Sequence, residues 1–195
     1  NDYRDAYRGV ATATVINPVY YSGKVTNEIK NEVTVDMERP MGKFKFVSTD
    51  VEISVSRVVQ MLKDRGMLLN IDLESDKKAK IEYLLQAINL GDFEVKFRYH
   101  AFMPCSFNMF TDKPADAWTG VSFTSQMYIE NNNEMTMGFD YIFVNGSETT
   151  LSVSLEVYNK YGELISSTKP INVPVMSSKL TIVKGEFLSS IASEG

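Results

Sequence analysis

Nucleophilic catalysis by serine or cysteine needs a general base, and this chain offers one histidine, His100, and one cysteine, Cys105. The two are five positions apart, an odd spacing that places them on opposite faces of an uninterrupted strand. Pro104 interrupts the run between them and leaves a contact open. A reactive cysteine must be a positioned, activated thiolate, so two ordinary strand-end residues are the plainer expectation. The same pair falls short of the roughly four N or S ligands of a structural zinc site. Asp72, Glu74 and Asp76 alternate within the charged run 72–78 and could offer oxygens to calcium, but the spacing lacks the D-x-D-x-D-G pattern that wraps an ion, and a solvated loop is expected. G-x-S-x-G, G-x-G-x-x-G and Walker-type loops are absent. Asp140, between Phe139 and Tyr141, is the most conspicuous lone acid, and its strand position sets it opposite the aromatic face as a surface or hydrogen-bonded carboxylate. Trp118 closes the stretch 111–118, read as a loop in which Trp118, Asp112 and Asp116 could contact a sugar ring. One indole is a thin platform, however, and an aromatic covering one end of the fold explains it as well. No catalytic group, metal or cofactor is expected, and the chain is read as a non-enzyme.

The elements that would have to position these residues are strands. In residues 93–103, Phe93, Val95, Phe97, Tyr99 and Ala101 fall on one face and Glu94, Lys96, Arg98 and His100 on the other, the period of two of a half-buried strand. Val121, Phe123, Met127 and Ile129 continue that pattern before a turn at Asn131, Asn132 and Asn133. Met137, Phe139, Tyr141 and Phe143 form a further face, followed by Asn145-Gly146, the strongest short hairpin signal. Asn145-Gly146-Ser147 also matches a glycosylation acceptor, although the turn accounts for it better. Leu151, Val153, Leu155 and Val157 alternate up to a turn at Gly162, and residues 163–167 and 179–184 give two last strands around a stretch that Pro170 and Pro174 confine to an edge or a bulge. Earlier in the chain, residues 10–16, 33–37, 43–47 and 51–55 read as strands, and residues 58–63 and 81–88 as short helices. Many short strands without alternating helices predict one antiparallel β-sandwich domain over residues 1–195 with one or two short helices.

Composition excludes several classes of function. The chain has 195 residues, 44% of them hydrophobic, enough to bury a substantial core. Its 25 acidic residues outnumber 20 basic ones, for a net charge of -5, and no basic stripe is present to bind a phosphate backbone, so no nucleic-acid partner is expected. The apolar runs are too short and too interrupted for a membrane helix. A single cysteine excludes an internal disulfide, and the start at Asn1 suggests a leader removed from an exported protein.

Three segments carry a family resemblance. They are Met37-Glu38-Arg39-Pro40-Met41-Gly42-Lys43-Phe44, then Gly138-Phe139-Asp140-Tyr141-Ile142-Phe143-Val144, and lastly Ile171-Asn172-Val173-Pro174-Val175 with Leu180-Thr181-Ile182-Val183-Lys184-Gly185-Glu186-Phe187-Leu188. In order and spacing they resemble the fimbrillin and fimbrial-anchor lipoproteins of Gram-negative anaerobes. After the Val-Pro, where the family commonly has a basic residue and Asn, this chain has Met176, Ser177 and Ser178. The resemblance implies a transthyretin-like Greek-key sandwich in which Arg39, Pro40, Phe139, Asp140, Val173, Pro174, Thr181 and Gly185 hold structural positions. It also implies a protein of the cell surface or outer membrane, held there by a lipid on a cysteine upstream of Asn1, that acts in fimbrial assembly, anchoring or adhesion and pairs with other fimbrial subunits by adding a strand at a sheet edge. The alternative is a surface module that binds glycans.

Overall fold

Alternating side chains, rich in Val, Ile, Thr, Phe and Tyr, draw most of this chain into strands that each present one apolar face. The computed structural model describes residues 6–12, 20–21, 24–25, 33–54, 89–131 and 133–190. Within them β1 (Tyr20–Tyr21) and β2 (Lys24–Val25) pair with each other. Then come β3 (Met41–Ser48), β4 (Phe93–Tyr99), β5 (Met103–Asn108), β6 (Lys113–Trp118), β7 (Ser122–Ser125) and β8 (Tyr128–Asn131), followed by β9 (Glu134–Phe143), β10 (Glu148–Asn159), β11 (Leu164–Ser167), β12 (Ile171–Met176) and β13 (Leu180–Gly185). One sheet runs β11-β10-β4-β7, and the long β10 carries β12 beside its first half and β11 beside its end. The other runs β13-β3-β9-β8. The fold is mainly β, a sandwich of antiparallel sheets, and among the described residues the one parallel pair is β13 beside β3.

The two sheets share one apolar interior. Phe44 and Phe46 of β3 meet Tyr99 and Phe97 of β4 at ring separations of 6.2 and 5.5 Å, and Phe97 stacks on Phe123 at 4.7 Å. Met137, Val153, Leu155, Val173 and Val175 fill the space around these rings. Each is almost fully enclosed, which at roughly 1.5 to 3 kcal/mol per large side chain makes this cluster the main source of stability.

Several sequence expectations are corrected by the structure. The run 93–103 is not one strand: after Tyr99 the His100 N–H still reaches Ser152 O at 2.8 Å, and then the chain turns away into β5. Pro104 has no N–H to give, and β4 lies between β10 and β7, a position closed to proline. The run 121–130 is split between sheets, with β7 in the first, β8 in the second and Met127 buried at the crossing. Residues 33–37 form no strand and are exposed. Residues 51–54 make a helical turn in place of the expected strand, closed by Ser54 N–H to Asp50 O at 3.0 Å, with Asp50 and Glu52 at the end of a helix that favours acidic side chains. The stretch 171–176 does lie at a sheet edge, as its prolines predict, and forms there a full strand, β12. The expected helices at 58–63 and 81–88, the loop 72–78 and residues 13–16 of the first expected strand lie outside the described residues.

The most consequential correction is in β9. Phe46 pairs with Gly138 but Val47 pairs with Thr136, so Met137 is an extra residue, a bulge that reverses the inward parity of everything after it. Ile142 and Val144 therefore enter the core, and Phe139 and Tyr141 lie on the outer face around the Lys43 ammonium, 3.9 and 5.0 Å from their ring centres. Asp140 remains opposite the aromatic residues, as the sequence predicts, but its side is the interior one.

Candidate functional site

The residues singled out for chemistry do not converge. His100 Nε2 is 2.7 Å from Ser154 Oγ, whereas the Cys105 thiol donates to Met103 O at 3.4 Å, so the two are engaged separately. Asp140 Oδ2 accepts the Tyr99 hydroxyl at 2.8 Å, a hydrogen bond that ties β9 to β4 across the sandwich. The stretch 111–118 is not a loop. Six of its residues are β6, so Asp112 lies at the hairpin tip and Trp118 at the opposite end of the strand, roughly 20 Å away for six steps of extended chain. Asp116 lies between them with a left-handed backbone (φ 53°), opposite Cys105, and its carboxylate accepts the Ser106 hydroxyl at 2.5 Å. Asp112 and Trp118 are thus too far apart to grip one ring between them. Among the described residues, no cluster of three or more His, Cys, Asp or Glu is placed to hold a metal.

Of the positions that the resemblance singled out, Arg39, Pro40, Pro174 and Thr181 lie near the turn from β12 to β13, whereas Gly185 pairs with Ser48 at the far end of β3 and Phe139 and Asp140 lie within β9. Pro40 O accepts Val144 N–H at 3.0 Å, and Arg39 O accepts the Ser177 hydroxyl at 2.5 Å. The chain leaves β12 through a turn at Ser178, whose positive φ of 59° lets it cross into the other sheet. Val173 is buried, and Pro174 O accepts the Thr181 hydroxyl at 2.7 Å. Gly185 O accepts Thr49 N–H at 2.9 Å, and a Cβ on Gly185 would meet the Phe187 ring at 2.8 Å.

Beyond this turn β13 forms one rim of its sheet. Among the described residues its only strand partner is β3, with which it pairs from Leu180 beside Lys43 to Gly185 beside Ser48. Val183 pairs with the inward Phe46, while Leu180 and Ile182 stay half exposed, at 50% and 49%, on the outer face. The neighbouring rim, β12, is blunted by Pro174, which cannot donate to an added strand. The lateral edge of β13 carries no proline.

Charges flank this outer face in pairs. Lys45 donates to Glu130 and Lys184 to Glu134. The Lys45 ammonium and the Thr136 hydroxyl, at 2.5 Å, hold the Glu130 carboxyl below the usual carboxylate range, and the Lys184 ammonium does the same for Glu134. On the other sheet Glu156 accepts from Arg98 at 3.0 Å and from the Tyr158 hydroxyl at 2.8 Å, which raises both donors. A carboxyl with a lowered folded pKa contributes stability above its unfolded value, near 4.3, and loses it as pH falls through the folded value. Glu130→Gln should therefore cost no more than about 0.5 kcal/mol at pH 7, since a third of that side chain faces water, and nothing at pH 2. Urea unfolding at the two pH values measures this, and an undiminished gap in acid would refute the linkage.

Two features escaped the sequence reading. Ser48 and Asp50, both buried, gather the chain after β13: Phe187 N–H reaches Ser48 Oγ at 3.0 Å, and Ser189 N–H reaches Asp50 Oδ2 at 2.7 Å. Sequence spacing carries no signal for such a contact. The hairpin tip exposes Met109 and Phe110, and here a signal existed, because two apolar residues follow Asn108 directly and precede the polar Thr111-Asp112.

No curated protein and no solved structure matches this chain. A family model, described as Family of unknown function (DUF6562), matches residues 1–195, and the chain belongs to that family.

Proposed function

We propose that this protein is a non-enzymatic module of the bacterial cell surface, fimbrillin-like, that acts in assembly, anchoring or adhesion by accepting a strand along β13. The observation that supports this is the β13 rim: an edge free of proline, paired on one side by β3 and flanked by half-exposed Leu180 and Ile182. Added strands gain main-chain hydrogen bonds from such an edge, and their alternate side chains find apolar neighbours. A partner strand of about eight residues that buries about four apolar side chains gains roughly 1.5 to 3 kcal/mol from each. Pro174 on β12 directs the addition to β13 by leaving a gap in the donors of the competing rim.

The test is sedimentation velocity of the chain, with fluorescence anisotropy of a labelled peptide copying residues 179–186. Binding is expected, and Ile182→Lys should weaken it at least tenfold while the unfolding midpoint stays unchanged. A chain that remains monomeric and binds no strand peptide would remove the assembly reading.

A further inference from the structure

The β5–β6 hairpin ends in an apolar knob. Phe110 is as exposed as a side chain can be, at 102%, and Met109 beside it is at 53%. The turn that presents them is fixed from within. Asn108 Oδ1 accepts the N–H groups of both Phe110, at 2.9 Å, and Thr111, at 3.1 Å. Asp112, at a left-handed φ of 56°, returns the chain to β6, and its carboxylate pairs with Arg8 Nε at 2.7 Å. Behind the tip, Phe107 packs on Phe143 at 5.6 Å, and the Arg8 guanidinium lies 5.6 Å from the centre of the Phe107 ring, which braces the hairpin against β9.

We propose that this tip is a membrane-contacting element that seats Met109 and Phe110 in the interfacial layer of a lipid bilayer. Three observations converge. A convex knob needs an apolar medium and no shaped cavity, which a lipid surface supplies. Leaving water costs little only where backbone donors are already satisfied, and Asn108 satisfies those of Phe110 and Thr111. The nearest acidic group, Asp112, is ion-paired with Arg8, while the exposed Lys113 beside it is a side chain that snorkels to headgroups. With a chain net charge of -5, the contact is apolar and not electrostatic, so zwitterionic phosphatidylcholine is the surface it fits. A single shallow insertion makes the association reversible.

Trp118 is the only tryptophan, at the far end of β6, and so provides an internal control. In the full chain, Trp118→Phe combined with Phe110→Trp moves the sole indole to the tip, and an unchanged unfolding midpoint verifies the fold. With phosphatidylcholine vesicles, its emission should shift to the blue and be quenched by brominated lipid, whereas native Trp118 should not be quenched. Phe110→Asp in the native background should lower co-sedimentation with the vesicles tenfold or more. The proposal is overturned by an unshifted tip indole at saturating lipid, by equal quenching of Trp118, or by undiminished sedimentation of the Asp variant. It is overturned as well by binding that strengthens when phosphatidylserine is added, which means adsorption through Lys113, or by a blue shift that grows with protein concentration without lipid, which means that a second copy buries the tip.

Discussion

Replacing Asp50 with alanine is expected to lower the stability of the protein by about 3 kcal/mol, far more than loss of a surface carboxylate. Asp50 is almost fully enclosed, and its two oxygens take the Ser48 hydroxyl, Leu188 N–H at 3.4 Å and Ser189 N–H at 2.7 Å. Truncation takes the acceptor from the buried Ser48 hydroxyl and from the partly buried Ser189 N–H, while Leu188 N–H keeps Ser48 Oγ at 3.2 Å, at roughly 1 to 3 kcal/mol for each group left unsatisfied. Since Ser48 itself accepts Phe187 N–H, the loss spreads to the segment that places Phe187 against the core. For a chain of this size the midpoint should fall by about 6 to 12 °C. Asp50→Asn keeps an acceptor and should cost about half as much. Urea unfolding gives the energy, and amide exchange at residues 187–189 gives the location. A loss under about 1 kcal/mol, or exchange unchanged at those amides, would show that the C-terminal segment is held by other contacts.

Phe46→Ala should be costlier still, about 4 kcal/mol. Its ring is fully buried and lies 5.8 Å from Phe44, 5.5 Å from Phe97 of the facing sheet and 5.3 Å from Phe187. Deleting it removes the transfer energy of a benzyl group and opens a cavity whose walls belong to two sheets and a terminal segment that cannot all collapse inward; such changes cost about 3 to 5 kcal/mol. Phe46→Leu, which refills most of the volume, should cost about 1.5 kcal/mol. The measurement is the chemical-denaturation midpoint of both variants at constant slope. Equal losses for Ala and Leu would mean that the ring's volume is not what joins the layers.

The strands that could be read from the sequence are those whose signal is local. Val95, Phe97 and Tyr99 point inward as their alternation predicts, as do Leu151, Val153, Leu155 and Val157, because one pleated strand repeats every two residues wherever it lies. Gly146 and Gly162 occupy left-handed conformations, at φ 76° and 78°, in turns that their sequence neighbours announce. Arg39 and Pro40 come close to the β12–β13 turn, but Gly185 lies at the opposite end of β13, beside Ser48. The candidate ligand loop, by contrast, is drawn out, since residues 113–118 form a strand that sets Asp112 and Trp118 apart.

By itself, then, the sequence determined a chain of amphipathic strands with a buried apolar side and a set of tight turns, because backbone preference and period are properties of neighbouring residues. Tertiary structure decided everything that depends on a distant partner. The extra Met137 in β9 exchanges the inner and outer faces only because it is counted against β3. Residues 121–130 divide between sheets because the core needs Met127 at the crossing. Asp50 becomes a buried hub because residues 187–189 fold back over it. Register and contact are relations between strands far apart in the chain, and the parity of a single strand carries no record of them.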